Sequence, residues 1–288
     1  MSYYNSNHIT ITNSYGLPLK TTPTIYIGYD SREHEAVRVL QYTINRHSSP
    51  QHIHTRTLNL HNLRRSGLYR RAPHIDSTCW SETNTNQHMK DSFDGRPFST
   101  DFSFSRFLVP MLNNYEGYAL FMDCDMYFRT NPYELFRDAI KPSQKDYAVW
   151  VVKHHDQPNE ETKMYGCPQT SYQKKNWSSF ILWNCGHPAH HNLTVDDVNT
   201  KPGSWLHSFS WLEPSQIGSL DESWNFLDNH SNEKIIPKNV HFTTGGPWFP
   251  GWHPKRQVDQ NYSFEWQKIY EQLLDSENTD TLLYTTQS

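Results

Sequence analysis

Residues 118–125, YALFMDCD, decide the fold, because an apolar run there ends abruptly in two acids. The uncharged run predicts a buried strand. A parallel sheet binds ligands at the carboxyl ends of its strands, so we expect Asp123 and Asp125 where a substrate binds. If the chain turns there, the two carboxylates converge and form an oxygen site for Mg²⁺ or Mn²⁺. The alternative is a pair of solvated acids between a strand and a loop.

The segments on either side alternate between strand and helix patterns. A strand pattern at 24–30 is followed by a helical pattern at 32–46, for which Ser31 is the predicted cap, and by a second strand pattern at 52–58. This order indicates a parallel βαβ unit. The same patterns predict strands at 147–152, 180–183 and 239–243 and helices at 102–112 and 260–274.

The whole pattern predicts an α/β fold with a mainly parallel central sheet flanked by helices. We expect one domain over residues 24–275, because no linker or internal repeat divides it. Three other segments are polar: 1–23 is expected to be a flexible N-terminal arm, 76–101 a lid or insertion loop, and 276–288 a frayed tail.

Composition excludes several classes of protein. Aromatic residues make up 14% of the 288 residues and supply a core, and 19% charged residues with a net charge of −4 do not indicate disorder. No apolar run is long enough for a transmembrane helix, and no signal-peptide pattern opens the chain. The four cysteines lack CxxC spacing, so neither a zinc site nor a disulfide framework is expected. We therefore expect a cytoplasmic protein.

Two features near residue 241 carry further chemistry. His241 lies in a short strand pattern and is either a core residue or a third ligand of the acidic site, which would favour Mn²⁺ over Mg²⁺. Gly245 and Gly246 follow, and their backbone amides either cradle a phosphate or simply form a turn.

Two more features lie nearer the N-terminus. Gly28, Tyr29 and Asp30 end the first strand, where glycine permits close approach, tyrosine can stack and aspartate can accept from a base or ribose. The alternative for Asp30 is an acid that starts a helix. Arg106 either reaches a diphosphate or is a solvated or ion-paired arginine.

Residues 36–75 form a basic segment with seven arginines and no acid. It carries +7, which leaves −11 for the rest of the chain. Arginines interleaved with Tyr69 suit a polyanion, either a lipid-linked or phosphorylated glycan or a nucleic acid such as duplex DNA. The alternative is a solvated surface whose arginines pair with the acidic remainder.

Five stretches in this order resemble GT-A nucleotide-sugar glycosyltransferases, most closely the bacterial and phage branch near family 8: IYIGYD, FSFSRFLVP, ALFMDCDM, KNWSSFILWNC and VHFTTGGPWF. The resemblance covers about residues 24–250 and implies a Rossmann-like fold. It also implies a UDP-sugar donor held through Mn²⁺ (or Mg²⁺), and an acceptor that is a glycan or a hydroxylated small molecule. A phage-encoded member would act in the host cytoplasm.

The resemblance also implies residue roles. Asp123 and Asp125 would hold the metal with His241 as third ligand, and Asp125 would be essential for transfer. The other implied contacts are the nucleoside for Gly28, Tyr29 and Asp30, the phosphate or sugar for Arg106, the donor sugar for Asn176, the diphosphate for Gly245 and Gly246, and the anomeric carbon for Glu213.

Two departures from the family pattern affect these roles. Residues 212–216 read LEPSQ where family 8 has Asp-Gln-Asp, and Gly246 stands where a lysine would cover the diphosphate. We expect metal-dependent transfer with retention by attack on the leaving group's own face; the other route to retention is a covalent intermediate. One alternative is a phage-type enzyme that glycosylates a hydroxymethylated DNA base, and another is a non-catalytic nucleotide-sugar-binding module. The sequence leaves the oligomeric state open.

Overall fold

The computed structural model describes residues 23–50, 53–75, 89–140, 146–154, 162–163, 167–168, 175–250, 252 and 262–285. The strands in these ranges are β1 (Thr24–Gly28), β2 (His54–Leu58), β3 (Pro73–Ile75), β4 (Met89–Asp91), β5 (Pro97–Phe98), β6 (Tyr118–Met122), β7 (Met126–Phe128), β8 (Val149–Val152), β9 (Thr162–Lys163), β10 (Cys167–Pro168), β11 (Phe180–Asn184), β12 (Ile217–Leu220), β13 (Phe226–Leu227) and β14 (Asn239–His241). The α-helices are α1 (His34–Ser48), α2 (Leu60–Arg65), α3 (Val109–Leu112), α4 (Tyr133–Ala139), α5 (Val195–Thr200), α6 (Gly203–His207) and α7 (Tyr262–Thr285). None of these helices has the length and apolar character to cross a membrane.

The main sheet has the strand order β12-β8-β11-β6-β1-β2. Strand β1 runs parallel to β2 and β6, and β8 runs parallel to β12. Strand β11 is antiparallel to β6 and β8, its neighbours on either side. The predicted mainly parallel α/β fold is confirmed. β8 is buried throughout and β6 all but its first residue, which explains why both strands read as continuous apolar runs.

A second sheet, with the order β13-β14-β7, begins immediately after β6. The chain leaves the main sheet at Met122, turns through three residues and enters β7 at Met126. Strand β7 packs against α1, and a second apolar cluster joins β7, β14 and α7 around Tyr127, Phe242 and Trp266. The acidic turn therefore lies at the junction of two sheets.

Part of the predicted loop at 76–101 is a sheet. Strands β3, β4 and β5 pair in antiparallel order, and residues 76–88 of the prediction lie outside the described residues. The physical reason is a buried ion pair between Arg71 and Asp91, which ties β4 to the segment after α2. The polar composition of the stretch did not indicate this anchor.

The first helix starts differently from the prediction. A short 3₁₀ turn at Ser31–Glu33 precedes α1, and the cap is Asp30, whose Oδ1 accepts from the Arg32 amide at 3.0 Å. The predicted cap, Ser31, is the first residue of that turn. The predicted helix at 102–112 is likewise a 3₁₀ turn, Ser105–Leu108, followed by α3 with Pro110 in its first turn.

The last helix corrects the predicted frayed tail. α7 runs to Thr285, so it continues beyond residue 275, where the domain was expected to end. Trp266 and Leu273 bury against the second cluster. Farther along the helix, Glu277 accepts from Arg38 of α1, which supplies a contact that the polar sequence did not indicate. The predicted arm at 1–23 lies outside the described residues, except for residue 23.

Candidate active site

The two acids lie at the carboxyl edge of the main sheet. Met122 of β6 pairs with Phe180 of β11, and the turn that follows carries Asp123 and Asp125. The Asp123 amide donates to the carbonyl of Ser179 at 2.9 Å, so the turn is fixed to the start of β11. Both carboxylate side chains are 12% exposed, which excludes a pair of freely solvated acids.

His241 joins the acids through the pairing of β14 with β7. The register places His241 opposite Met126, and the amide of Phe242 donates to the carbonyl of Asp125 at 2.9 Å. His241 Nε2 consequently lies 3.2 Å from Asp125 Oδ1. One ligand atom from each of Asp123, Asp125 and His241 lies within 4.8 Å of the others.

This donor set fits a divalent cation. Donor atoms about 2.1 Å from an octahedral ion lie roughly 3 to 4.2 Å from one another, which the observed spacing allows. Two carboxylates and one imidazole suit Mn²⁺ at least as well as Mg²⁺. The three side chains meet although they come from two different sheets. The sequence separation between residues 125 and 241 therefore did not indicate that they lie close together.

Arg106 is fully inside the protein and braces Asp123. Its NH1 group lies 2.8 Å from Asp123 Oδ1 and donates to the carbonyl of Ser178 at 2.7 Å. The guanidinium also stacks 4.8 Å from the ring centre of Phe121. Burial lowers the pKa of Arg106, and the charges of Asp123 and Asp125 oppose that shift. The ion-paired alternative is therefore the one observed, and the expected contact of Arg106 with phosphate or sugar gains no support.

The residues expected at the nucleoside lie at the same edge of the sheet. Gly28 ends β1, and a Cβ there would lie 2.4 Å from the Phe102 ring, so packing alone explains the glycine. Asp30 is 1% exposed and binds Arg32 through both oxygens, as a helix-start acid does. Tyr29 is half-buried, with its hydroxyl 3.4 Å from His34 Nδ1.

Glu213 does not lie with the other predicted residues. It precedes β12, whose first residue, Ile217, pairs with Val149 at the edge opposite the acids. There the side chain lines an open cleft of about 670 Å³ together with Asp146 and Trp211. The strand that follows Glu213 explains the discrepancy: the chain must still cross the sheet before it reaches the edge where Asp123 and Asp125 lie. The structure thus does not bring Glu213 together with Asp123, Asp125 and His241.

The remaining predicted residues are placed as follows. Asn176 lies in the 3₁₀ turn Lys175–Ser179 that enters β11 at the acidic edge, and its side chain is outside the described residues. Gly245 has φ +105° and its amide already donates to Phe242. A Cβ on Gly246 would lie 2.2 Å from the Trp248 ring, so both glycines have structural reasons of their own.

Sequence reasoning missed the polar residues behind the metal ligands. Asn225 is fully buried, and its Oδ1 lies 2.9 Å from His241 Nδ1. Its amide nitrogen donates to Ser179 Oγ at 3.0 Å. Asn225 follows a tryptophan in a stretch with no strand or helix pattern, so only its position in the fold makes it visible.

Two buried groups that can ionise lie at the turn, Glu33 beside it and Cys124 within it. Burial raises the pKa of Glu33 well above its usual value, and the nearby charges of Asp125 and Asp30 raise it further. Glu33 Oε2 accepts from Cys124 Sγ at 3.4 Å. Burial also raises the pKa of the Cys124 thiol, which therefore stays protonated and is no nucleophile.

His154 lies beyond the end of β8, at the same edge. Its side chain is 3% exposed and Nδ1 is 3.8 Å from Glu222 Oε1. Burial lowers the pKa of His154 to about 4, with smaller contributions from the charges of His241 and His230. A neutral histidine therefore borders the site.

Three arginines of the basic segment form ion pairs with acidic residues of the described chain. Arg71 pairs with Asp91, Arg70 with Asp196, and Arg38 with Glu35 and Glu277. These pairs correspond to the alternative in which the segment neutralises the acidic remainder, and nothing in the described residues supports binding of DNA.

Comparison with solved structures identifies proteins with a similar fold. No protein-family model matches the chain. Among solved structures, the bifunctional glycosyltransferase WbbM has a TM-score of 0.50 at 14% identity, covering 87% of this chain and 50% of WbbM. GlyE of Streptococcus pneumoniae has a TM-score of 0.47 at 13% identity, covering 91% and 64%. The chain thus spans half of WbbM and less than two thirds of GlyE. The likeness to WbbM shows a GT-A glycosyltransferase fold.

One relative is similar in sequence as well. Protein CDI of Arabidopsis thaliana is 42% identical over 233 residues, which cover 79% of this chain and 80% of the relative. At that identity and coverage, the chain belongs to the same family as Protein CDI of Arabidopsis thaliana.

Proposed function

We propose that the protein is a metal-dependent glycosyltransferase that moves a sugar from a nucleotide-sugar donor to an acceptor hydroxyl. The observation that carries the proposal is the convergence of Asp123, Asp125 and His241 within 4.8 Å at the carboxyl edge of the sheet. A nucleotide binds at this edge in open α/β sheets. A UDP-sugar is the donor that the family resemblance implies.

The chemistry follows from charge. As the donor's glycosidic bond breaks, negative charge grows on the departing diphosphate. A divalent cation, when bound, would neutralise that charge as a Lewis acid. Asp123, Asp125 and His241 would hold the cation, and Arg106 would keep the Asp123 carboxylate in place through the 2.8 Å ion pair.

The nucleoside would lie toward the end of β1. Asp30 is held by Arg32, so we assign it to shaping the start of α1 and not to the base. Tyr29 is half-buried and offers an aromatic ring for stacking. The turn Lys175–Ser179 leads into β11 at the same edge, and there Asn176 would approach the donor sugar.

We propose retention, with the acceptor hydroxyl attacking on the face that the diphosphate leaves. The position of Glu213 at the opposite edge of the sheet supports a mechanism in which it is not a nucleophile. The acceptor would be a glycan or a hydroxylated small molecule. Duplex DNA is not favoured, because Arg70 and Arg71 of the basic segment are paired with Asp196 and Asp91.

Hydrolysis of donor sugars tests the proposal. UDP-sugars and other nucleotide sugars are incubated with the protein, with and without Mn²⁺, and the released nucleotide is measured. We expect release only with the metal, and none from Asp125→Ala. The control is Asp196→Ala, which removes an exposed acid away from the site. Metal-dependent nucleotide binding without release from any donor would instead indicate a non-catalytic module. Full activity of Asp125→Ala would overturn the site.

A further inference from the structure

We propose that Asn225 is a positioning residue that sets the tautomer of His241 and so makes His241 a metal ligand. The inference rests on the metal site of the proposed function, but it does not depend on sugar transfer. It concerns which ring nitrogen of His241 carries the lone pair, because only a nitrogen without hydrogen can bind a cation.

The amide of Asn225 is held in one orientation. Its nitrogen donates to Ser179 Oγ at 3.0 Å, so its oxygen faces His241. Asn225 is 0% exposed and Ser179 is 5% exposed, so water does not compete for these groups. Asn225 also follows Trp224, whose carbonyl accepts from Asn239 at 3.1 Å, which fixes the backbone of this segment to β14.

This orientation decides where the imidazole proton lies. Asn225 Oδ1 is 2.9 Å from His241 Nδ1, and an amide oxygen can only accept. Nδ1 must therefore carry a hydrogen, which in the neutral imidazole leaves the lone pair on Nε2. That nitrogen is the one 3.2 Å from Asp125 Oδ1.

The same arrangement calls for a cation. With the lone pair on Nε2, this nitrogen and Asp125 Oδ1 are two acceptors 3.2 Å apart, and His241 is 1% exposed. A divalent ion between them would turn this repulsion into two ligand bonds. Hydrogen-bond partners of this kind fix the tautomer of metal-binding histidines and raise their basicity.

Metal titration gives the first test. Mn²⁺ binding is measured by calorimetry, without any sugar donor, for the wild type and for Asn225→Leu and Asn225→Asp. The apolar variant removes the acceptor and is expected to weaken binding about 10- to 100-fold. The acidic variant keeps an acceptor facing Nδ1 and is expected to bind at least as tightly as the wild type. Wild-type affinity in Asn225→Leu, or equal losses in the two variants, would overturn the inference.

A double-variant comparison separates positioning from a structural role. In a His241→Gln background, Asn225→Leu is expected to cause no further loss of Mn²⁺ affinity, because it acts only through the imidazole. A full additional loss would show that Asn225 supports the site in another way and would contradict the proposal.

Nuclear magnetic resonance gives a readout that does not need the metal. In metal-free, histidine-labelled protein, nitrogen shifts distinguish the two tautomers, and His241→Gln assigns the signal. We expect the hydrogen on Nδ1; a hydrogen on Nε2 would overturn the inference. Ser179→Ala, which frees the amide, is expected to weaken Mn²⁺ binding by a smaller factor and replaces Asn225→Leu if that variant does not fold. If the wild type shows the expected tautomer but binds no Mn²⁺, the proposed function and the ligand role of His241 fail, whereas the assigned tautomer stands.

Discussion

The Asp123 carboxylate is largely buried, and Arg106 is the group that compensates its negative charge. The guanidinium touches Asp123 on one side and the carbonyl of Ser178 on the other. Both partners of the ion pair are largely desolvated, at 5% and 12% side-chain exposure. The pair therefore matters most when one member is removed, because the other is left buried and charged.

Replacing Arg106 by leucine should destabilise the fold strongly. We expect the free energy of unfolding to fall by about 3–5 kcal/mol, the usual cost of an uncompensated buried charge. Urea unfolding of Arg106→Leu measures this cost. The control is Arg70→Leu, whose ion pair with Asp196 is exposed and should matter by less than about 1 kcal/mol. Equal losses in the two variants would contradict the account.

Substitution of Gly28 tests the packing at the end of β1. A Cβ there would lie 2.4 Å from the Phe102 ring, so Gly28→Ala should overpack the core and cost about 1–3 kcal/mol in urea unfolding. Adding Phe102→Leu should recover part of the loss, because the ring that clashes is gone. If the alanine variant were as stable as the wild type, packing would not explain this glycine.

At the scale of elements, single buried contacts hold segments whose sequence looks like loop. Asp91 of β4 binds Arg71 and accepts from the amide of Gly203 in α6 at 3.2 Å. Arg71 also lies 4.0 Å from the ring centre of Phe104. The Asp91 carboxylate is thus one buried attachment of the small sheet to the rest of the domain, beside the contact between the rings of Phe98 and Phe104.

Asp91→Asn should therefore cost far more stability than a matched change on α7. We expect a loss of about 3–5 kcal/mol, because Arg71 is left buried without its counter-charge. Glu277→Gln also removes a carboxylate that pairs with an arginine, but its side chain is 51% exposed, so less than about 1 kcal/mol is expected. Chemical unfolding of both variants makes the comparison. A small loss for Asp91→Asn would show that the small sheet is attached by other contacts.

Acid should destabilise the protein through His190, which precedes α5. Burial lowers its pKa to about 4, whereas an unfolded histidine has about 6.5. Between these values the unfolded chain binds a proton that the folded chain does not, so stability is complete above 6.5 and falls as the pH drops toward 4. The slope is up to about 1.4 kcal/mol per pH unit. His190→Gln keeps a donor for the carbonyl of Ala148. In this variant the free energy of unfolding, measured in urea, should decrease less steeply between about pH 6.5 and 4. An unchanged slope would contradict this origin.

At the scale of the whole molecule, the sequence predicted those features that depend on a local pattern of residues. Strand β6 has the bounds expected from its apolar run, and the acids follow it directly. Glu213 lies apart from the other predicted site residues because the edge of a sheet at which a residue lies depends on strand direction, which a single sequence does not display. The role of Arg106 stayed open because its partner, Asp123, is distant in sequence. The Arg71 pair and the extension of α7 were missed because their partners lie far along the chain.

Binding of UDP, measured by calorimetry with and without Mn²⁺, tests the central claim most directly. If Asp123, Asp125 and His241 hold the cation that a nucleoside diphosphate needs, UDP should bind the wild type only when Mn²⁺ is present and should not bind Asp125→Ala in either condition. UDP binding of equal affinity without the metal, or in Asp125→Ala, would contradict the account.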